Sequence, residues 1–335
     1  MENGEWRTKS GTRFFLSVVT ILVLFLSSES IGFSRHDVVK HSLSDRPGSH
    51  ADDSIFALRI AQAKSKGIDT LPIGERVAAM GKLFLGTPYV AGTLDSDSVN
   101  EQLVVDLRGF DCVTFYENML ALARIVREYP HPTMKSLQDE LTLLRYRHGE
   151  IDGYHSRLHY TVDYIFDNMK KRTLLDVTRN VGGSFSKVDD RVINFMTNHR
   201  SSYKQLANND AEYNSMVNIE RNIQARKGFY FIPKENIAKV EDKIETGDIM
   251  GITTNIPRLD CSHTGIAIRM TDGRVHFMHA SNLQGKVIIS EEPLADYLTH
   301  SSHQTGIIVV RPQETISNTK IISDPITPID KPFKL

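Results

Sequence analysis

The chain contains 335 residues, of which 40% are hydrophobic and 24% are charged, and these values are ordinary for a soluble globular protein. Its 40 Lys and Arg residues and 41 Asp and Glu residues give a formal net charge of −1, so the charge gives no indication of a nucleic acid partner or an anionic membrane surface. The 2 cysteines are too few for a disulfide framework, and the length suits one large domain or two small ones.

Residues 1–30 have the pattern of a secretory signal peptide. A basic start with Arg7, Lys9 and Arg13 precedes an apolar run over 14–26, which small serines follow. The run has the length of a signal-peptide core and is short for a membrane span, which needs about 20 apolar residues. Because the cleavage signature is imperfect, an uncleaved anchor stays open. We expect an exported protein, periplasmic or secreted, with no stable membrane insertion after signal cleavage.

The first half of the remaining chain has the apolar spacing of helices. Residues 31–52 are polar and without periodicity, which predicts a linker, and residues 313–335 have no clear pattern, which predicts a tail. Between them, apolar residues recur at helical intervals. The predicted helices are 54–66, 72–85, 116–129, 133–147, 160–171, 189–208 and 210–226. The last two are more polar and are expected to lie on the surface.

The pattern changes after Gly228, where short runs rich in β-branched residues replace the helical spacing. The predicted strands are 229–232, 248–253, 263–270, 275–280, 286–290 and 307–311. Asp272-Gly273, between the third and fourth runs, is a strong hairpin signal. Helices followed by strands predict an α+β domain over 53–312, with a mostly antiparallel sheet.

Cys112 is expected at or next to the start of a buried helix. Gly109 breaks regular structure, and Asp111 is a good N-cap for the apolar-periodic run that follows. A helix N-terminus stabilises a thiolate, and its unpaired N–H groups can hold an oxyanion. Cys112 is therefore a candidate nucleophile. The alternative is a small buried hydrophobic residue, which is the common role of a free cysteine.

The second cysteine, Cys261, leaves two alternatives open. In an oxidising compartment it could form a disulfide with Cys112, or at least one of the two stays a free thiol for chemistry. Like Cys112, Cys261 follows an aspartate, but it lies in or next to a predicted strand and no helix follows it. We therefore interpret Cys112, and not Cys261, as the nucleophile.

His263 and His279 are the candidates for the base and for the group that orients it. Side chains alternate along a strand, so His263 shares a face with the small residues Gly265 and Ala267. The opposite face, which looks like the apolar core, carries Thr264, Ile266 and Ile268. His279 is on the next strand of the predicted hairpin, where it could lie beside His263 and orient its ring. For either histidine alone, a plain sheet-surface role is the alternative.

Short motifs follow one another in a recognisable order over residues 70–312. They are Gly86-Thr87-Pro88-Tyr89, Val90-Ala91-Gly92-Thr93-Leu94, Leu103-Val104-Val105-Asp106-Leu107, Asp111-Cys112-Val113-Thr114-Phe115-Tyr116-Glu117-Asn118, Ser156-Arg157-Leu158-His159-Tyr160, Gly247-Asp248-Ile249, Ser262-His263-Thr264-Gly265-Ile266-Ala267, His279-Ala280-Ser281 and Gly306-Ile307-Ile308-Val309-Val310-Arg311. The ordered set resembles the NlpC-type papain-like cell-wall hydrolases, and more closely their N-acetylmuramoyl-L-alanine amidase-like branch. Cys261 departs from the pattern, because an aliphatic residue is expected there.

The resemblance implies a papain-like core and a cysteine amidase that needs no metal or organic cofactor. It implies cleavage of the amide between N-acetylmuramic acid and L-alanine in peptidoglycan or muropeptides. At the matching positions it implies Cys112 as nucleophile, His263 as general base and His279 as the orienting third member. Tyr89 is expected near the oxyanion or the scissile bond, and Asp111, Arg157, His159 and Ser262 are expected to line the substrate groove. Arg157 suits a peptide carboxylate, because its planar fork binds two oxygens at once.

Three alternatives remain at this point. A D-glutamyl–diamino-acid endopeptidase keeps the chemistry and changes the bond. A metal-dependent hydrolase would use His155 and His159, but no glutamate follows the first, as a zinc-protease helix requires. A non-catalytic wall-binding relative would keep the fold without the reaction.

Overall fold

The computed structural model describes residues 50–95 and 100–315. The predicted signal segment 1–30, most of the predicted linker and most of the predicted tail lie outside these residues. Among the helices of the described part, none combines the length and the apolar character that crossing a bilayer requires.

The helices occupy mainly the first two thirds of the described chain. In chain order they are α1 (His50–Ser65), α2 (Ile73–Leu83), α3 (Cys112–Glu128), α4 (Met134–Arg145), α5 (Thr161–Lys170), α6 (Thr178–Gly182), α7 (Phe195–Asn198), α8 (Lys204–Ala207), α9 (Asp210–Gln224) and α10 (Leu294–Tyr297). Most of α3 is buried, and its buried charges Glu117 and Arg124 are paired with Arg145 and Glu140. It packs against α2, α4 and the central sheet and forms the centre of the main core.

The strands form one antiparallel sheet. They are β1 (Leu174–Asp176), β2 (Lys187–Asp189), β3 (Phe229–Pro233), β4 (Ile249–Thr254), β5 (Cys261–Arg269), β6 (Val275–Ser281), β7 (Lys286–Ile289) and β8 (Gln304–Pro312). Their order across the sheet is β2-β3-β8-β4-β5-β6-β7, with β1 paired to β8. The predicted α+β class with an antiparallel sheet is thus confirmed. The turn at Asp272-Gly273 joins β5 to β6, with Ala267 opposite Phe277.

The two faces of the sheet belong to different layers. Ile266, Ile268 and Met278 face α3 and belong to the main core. Ala267 and Phe277 face the other way, into a second apolar cluster that α10 covers. This alternation places the neighbouring residues His263 and Thr264 on opposite sides of β5.

The predicted helix 189–208 is wrong. Residues 187–189 form β2, and the chain then makes only the short helices α7 and α8 with a 3₁₀ turn between them. Asn198, Ser201 and Ser202 interrupt this stretch, and such side chains compete with helical backbone hydrogen bonds. The apolar residues of the stretch pack into a third cluster with α9, which is therefore half-buried and not purely a surface helix.

The other predicted elements are present, with ends displaced by a few residues. Helix α1 begins at His50, inside the segment 31–52 that was predicted to be a linker. At the other end, the N–H of Gln313 donates to Thr173 O at 2.9 Å, so the predicted tail starts with a residue bound to the domain. The strands β1 and β2 were not predicted, because three residues are too few to show alternation.

Candidate active site

Cys112 is the first residue of α3, and Asp111 is its N-cap, as the sequence predicts. Oδ1 of Asp111 accepts hydrogen bonds from the N–H groups of Val113 at 3.1 Å and Thr114 at 2.8 Å. The Thr114 hydroxyl in turn accepts the N–H of Asp111 at 3.0 Å, which completes a capping box. Cys112 is thereby fixed at the positive end of a buried helix.

The same cap limits the oxyanion site that the sequence suggested. Asp111 occupies the N–H groups of Val113 and Thr114, so those two donors are taken up by the protein itself. The N–H of Cys112 is not among the groups that the cap binds. At the helix start, an oxyanion formed next to the sulfur could therefore accept a hydrogen bond from one N–H, that of Cys112, instead of from three N–H groups.

The loop before α3 holds Tyr89 beside the nucleophile. The N–H of Tyr89 donates to Gly285 O at 2.8 Å in the β6–β7 turn, and the N–H of Val90 donates to Phe110 O at 2.9 Å. A Cβ atom on Gly109 would lie 2.4 Å from Cγ2 of Val90, so this close approach requires glycine. The loop thus connects the hairpin to the residues just before Cys112.

His263 and His279 are in direct contact. Nε2 of His263 lies 2.7 Å from Nδ1 of His279, and the two rings are nearly perpendicular at 88°. His279 is buried between Phe277, which stacks on it at 4.7 Å, and Tyr297, whose ring centroid is 5.4 Å away. Because Nε2 of His263 is used in this contact, Nδ1 is the nitrogen left to exchange a proton with a thiol.

Burial keeps the three central groups uncharged at neutral pH. It lowers the pKa of His263 to about 4. It also lowers the pKa of His279 to about 2, and the charge of His263 adds to that effect. Burial, reinforced by the carboxylate of Asp111, raises the pKa of Cys112 to about 12. These pKa shifts favour a thiol and two neutral imidazoles in the site without substrate. Among the described residues no hydrogen bond joins the sulfur to either ring.

One cavity of about 1060 Å³ brings all the predicted site residues together. It is lined by Cys112, His263 and His279, and by the predicted substrate-binding residues Tyr89, Asp111, Arg157, His159 and Ser262. The opposite wall comes from α7, α8 and the residues between them, which the sequence assigned to a continuous surface helix. The roles given to the individual residues stay predictions.

Arg157 is buried and already partly paired. Its Nη1 donates to Leu94 O at 3.1 Å, and its Nε lies 3.3 Å from a carboxylate oxygen of Glu101. Its guanidinium also lies 4.9 Å from the ring of Tyr154. A substrate carboxylate would therefore compete with Glu101 for part of this positive charge.

His159 lines the cavity and is bound to the backbone through one ring nitrogen. Its Nε2 lies 2.8 Å from Tyr154 O, and because a carbonyl only accepts, Nε2 carries the proton. Burial, with the nearby charge of Arg157, lowers the pKa of His159 well below its usual value. The neutral ring therefore has an unprotonated Nδ1, which suits an N–H or O–H donor on a substrate.

Two residues near the reacting atoms were not proposed from the sequence. Thr264 donates its hydroxyl to Cys112 O at 2.9 Å. Tyr297 lines the cavity beside His279, and burial, followed by the nearby Cys112, raises its pKa to about 12. The signal for Thr264 was a polar residue directly after His263, on the face of the strand that also carries Ile266. Tyr297 comes from α10, which is distant in the sequence, and no local pattern marks it.

Both cysteines are free thiols, so the disulfide alternative does not hold in this structure. Cys261 is buried in the main core and does not line the cavity. Its neighbour Asp260 accepts the N–H of Val162 at 2.9 Å and caps α5. These positions agree with the rejection of Cys261 as the nucleophile.

The histidine pair of the metal-hydrolase alternative binds protein groups instead. Nδ1 of His155 lies 2.9 Å from Glu212, while His159 is bound to Tyr154 O. Within residues 50–95 and 100–315, no group of three or more His, Cys, Asp or Glu side chains is arranged to hold a metal ion.

A family model and a solved structure indicate the same family. A family model described as AmiA-like, N-acetylmuramoyl-L-alanine amidase-like, matches residues 79–307. A crystal structure of an N-acetylmuramoyl-L-alanine amidase from Bacteroides uniformis is 35% identical, with a TM-score of 0.65, over 72% of this chain and 99% of that one. No curated protein sequence matches significantly.

Two further solved structures are similar. A Bacteroides fragilis protein with a provisional xylanase name is 36% identical, with a TM-score of 0.62, over 69% of this chain and 98% of that one. A Legionella pneumophila protein shares the fold at 23% identity and a TM-score of 0.60, over 79% of this chain and 96% of that one. From the family match and the 35% identical structure, the chain belongs to the N-acetylmuramoyl-L-alanine amidase-like family.

Proposed function

We propose that this protein is a peptidoglycan hydrolase that cleaves the amide between N-acetylmuramic acid and L-alanine, with Cys112 as its nucleophile. The observation that carries the proposal is that Cys112, at the N-terminus of a buried helix, shares one cavity with the hydrogen-bonded pair His263 and His279. The name of the Bacteroides uniformis relative supports the choice of bond.

The first half of the reaction forms an acyl-enzyme. Nδ1 of His263 takes the proton of the Cys112 thiol as the sulfur attacks the lactyl carbonyl carbon. The N–H of Cys112 stabilises the resulting oxyanion, with Tyr89 nearby. The imidazolium then gives its proton to the nitrogen of L-alanine, the C–N bond breaks, and the stem peptide leaves with a free amine.

The second half restores the enzyme. His263 takes a proton from water, and the hydroxide attacks the thioester carbonyl. The C–S bond breaks, the sulfur regains its proton from His263, and the muramic acid leaves as a carboxylic acid. His279 accepts the Nε2–H of His263 throughout, so it holds the tautomer in which Nδ1 is the base.

The electrostatics imply that charge appears only when substrate is bound. With the pKa of Cys112 raised to about 12 and that of His263 lowered to about 4, a thiolate–imidazolium pair is unfavourable in the empty site. We therefore propose that proton transfer from the thiol to Nδ1 accompanies attack on the substrate. We therefore expect the protein without substrate to react slowly with thiol reagents.

The groove beside Cys112 suits a stem peptide. Arg157 would attract a peptide carboxylate, and the unprotonated Nδ1 of His159 would accept a peptide N–H. Asp111 and Ser262 complete the lining near the helix start. No cofactor takes part in any of these steps.

The finer classification belongs to the same proposal. A nucleophile helix packed on an antiparallel sheet supports an NlpC-type papain-like core. The sequence of residues 1–30 supports export to the periplasm or the medium, where peptidoglycan is the substrate.

The test is a muropeptide digest analysed by mass, with wild type, Cys112→Ala and Cys261→Ala compared. The amidase reaction releases intact stem peptide from the sugar, with activity in wild type and Cys261→Ala only. Products cut between D-glutamate and the diamino acid would instead show the endopeptidase. Absence of any product from wild type would favour the wall-binding relative, and release of sugars from xylan would support the name of the Bacteroides fragilis protein.

A further inference from the structure

Thr264 is a polar residue in an otherwise apolar layer. Ile266 and Ile268, on the same face of β5, are fully buried against α3. Thr264 is only 3% exposed, and its hydroxyl donates to Cys112 O at 2.9 Å. A buried hydroxyl needs a partner, and here the partner is the backbone of the proposed nucleophile.

This hydrogen bond connects the nucleophile to the strand of the general base. The carbonyl of Cys112 lies in the first turn of α3, and its second lone pair remains available beside the usual helical hydrogen bond. Thr264 directly follows His263, so one rigid strand carries both the proposed base and the group that fixes the cysteine. The separation of Cys112 and His263 then depends on the position of the Thr264 side chain.

Thr264 also acts on the sulfur. Burial and the charge of Asp111 raise the pKa of Cys112, whereas the nearby hydroxyl and N–H of Thr264 act to lower it. A hydroxyl has only one proton to donate. At rest this proton goes to Cys112 O. To stabilise a thiolate, the hydroxyl would turn about its side-chain bond toward the sulfur.

We infer that Thr264 is a positioning residue for the cysteine reaction: its hydroxyl holds Cys112 against the strand of His263 and stabilises the sulfur as it becomes a thiolate. The inference rests on the proposed function for the identity of the nucleophile. It goes beyond that function, because it assigns a role to a residue on the core side of the strand.

The test compares Thr264→Val, which keeps the shape and loses the donor, with Thr264→Ser, which keeps the donor. Iodoacetamide alkylation of Cys112 is followed by peptide mass against pH, without any peptidoglycan. A hydrogen bond to a charged group is worth about tenfold or more, so at each pH at which the protein stays folded we expect Cys112 of Thr264→Val to be alkylated about tenfold more slowly than in wild type. Thr264→Ser should stay near wild type. If Thr264→Val does not fold, the pair Thr264→Ser and Thr264→Ala makes the same comparison in a smaller volume.

Turnover provides the second readout. In Thr264→Val we expect kcat to fall with KM retained, because the substrate groove is unchanged. An unchanged alkylation profile in a folded Thr264→Val, or a Thr264→Ser variant as slow as Thr264→Val, would overturn the inference. These outcomes are separable from failure of the proposed function, which would appear as full muropeptide turnover by Cys112→Ala.

Discussion

Nδ1 of His279 lies 2.7 Å from Nε2 of His263, and this contact decides which nitrogen of His263 can act as a base. A carboxylate or amide in the place of His279 could bind water or other donors as well. Here Nε2 of His279 is buried and has no partner among the described residues, so the ring has essentially one interaction to offer. Phe277 and Tyr297 keep it in the plane that this interaction needs.

Loss of His279 should therefore reduce turnover while leaving the fold intact. We expect His279→Ala to lower kcat by about 10²-fold, since general acid–base catalysis contributes about 10²–10⁴-fold. His279→Asn, which can still accept through its side-chain oxygen, should lose less. The measurement is steady-state hydrolysis of a purified muropeptide.

The matched control for this prediction is His276→Asn. His276 is on the same strand but bonds to Ser290 O at 2.9 Å, away from the cavity. Its replacement should leave kcat unchanged. Equal losses in His276→Asn and His279→Ala would point to damage to β6 and not to the proposed role.

The two cysteines should differ sharply. Cys112→Ser should lose activity by about 10³-fold or more, because a serine hydroxyl is a much weaker nucleophile in this site and no neighbouring group can take its place. Cys261→Ala should keep its rate and lose some thermal stability, because it leaves a small void in the main core. Both thiols should react with a thiol reagent in denaturant and only slowly in the native protein, and an oxidised pair in denaturant would contradict the free state.

The buried histidines should make the protein less stable in mild acid. The pKa of His263 is lowered to about 4 and that of His279 to about 2, both below the unfolded value. As pH falls from about 6.5 toward 4, the unfolded chain binds protons that the folded chain does not, so stability is lost over this window. Asp260, whose pKa burial raises to about 6, acts in the opposite direction.

A matched variant isolates the histidine contribution. We expect the fall in melting temperature between pH 6.5 and 4.5 to be smaller in His279→Asn than in wild type. The contribution of Asp260 to this fall is the same in both proteins. Parallel curves would show that His279 does not contribute to the acid sensitivity.

Asp111 has two separable effects. As the N-cap of α3 it stabilises the fold, so Asp111→Ala should lower the free energy of unfolding by about 1 kcal/mol. Its charge also raises the pKa of Cys112, second to burial. Asp111→Asn keeps the cap and removes the charge, so it should retain its melting temperature while Cys112 alkylation begins at lower pH. An alkylation profile that is identical in Asp111→Asn and wild type would show that the charge of Asp111 does not raise the pKa of Cys112.

Arg157 should determine the response to a carboxylate on the stem peptide. Arg157→Lys keeps the charge near Glu101 but loses the planar fork, so we expect KM to rise by about tenfold. Amidation of the substrate carboxylate should raise KM for wild type and have less effect on Arg157→Lys. Additive effects of the two changes would show that the residue and the carboxylate do not interact.

The sequence was sufficient to predict the structural features that depend on a local pattern of residues. Asp111 before an apolar run predicted the start of α3, and Asp272-Gly273 predicted the hairpin that pairs β5 with β6. The contact of His263 with His279 followed from that pairing and from strand alternation. These features depend on neighbouring residues, whose preferences are readable from composition and spacing.

The sequence failed where distant parts of the chain decide the structure. The stretch 189–208 has a polar composition that suits a surface helix, yet Phe195 and Leu206 are buried in a cluster with α9. Tyr297 reaches the site from α10. The hydroxyl of Thr264 finds its hydrogen-bond acceptor, Cys112 O, only when α3 is packed on β5. No local rule reveals such partners before the fold is known.

The loop that carries Tyr89 has a second consequence, for the solubility of the protein. Thr87 O accepts the N–H of Val287, and the N–H of Gly86 donates to Val287 O, so the outer side of β7 is already hydrogen-bonded. An exposed strand edge invites pairing with another chain and aggregation. The opposite end of the sheet is β2, only three residues long, with Lys187 and Asp189 at its ends. A change that loosens the Tyr89 loop would therefore expose the unpaired edge of β7, which favours aggregation, and would also disturb the cavity.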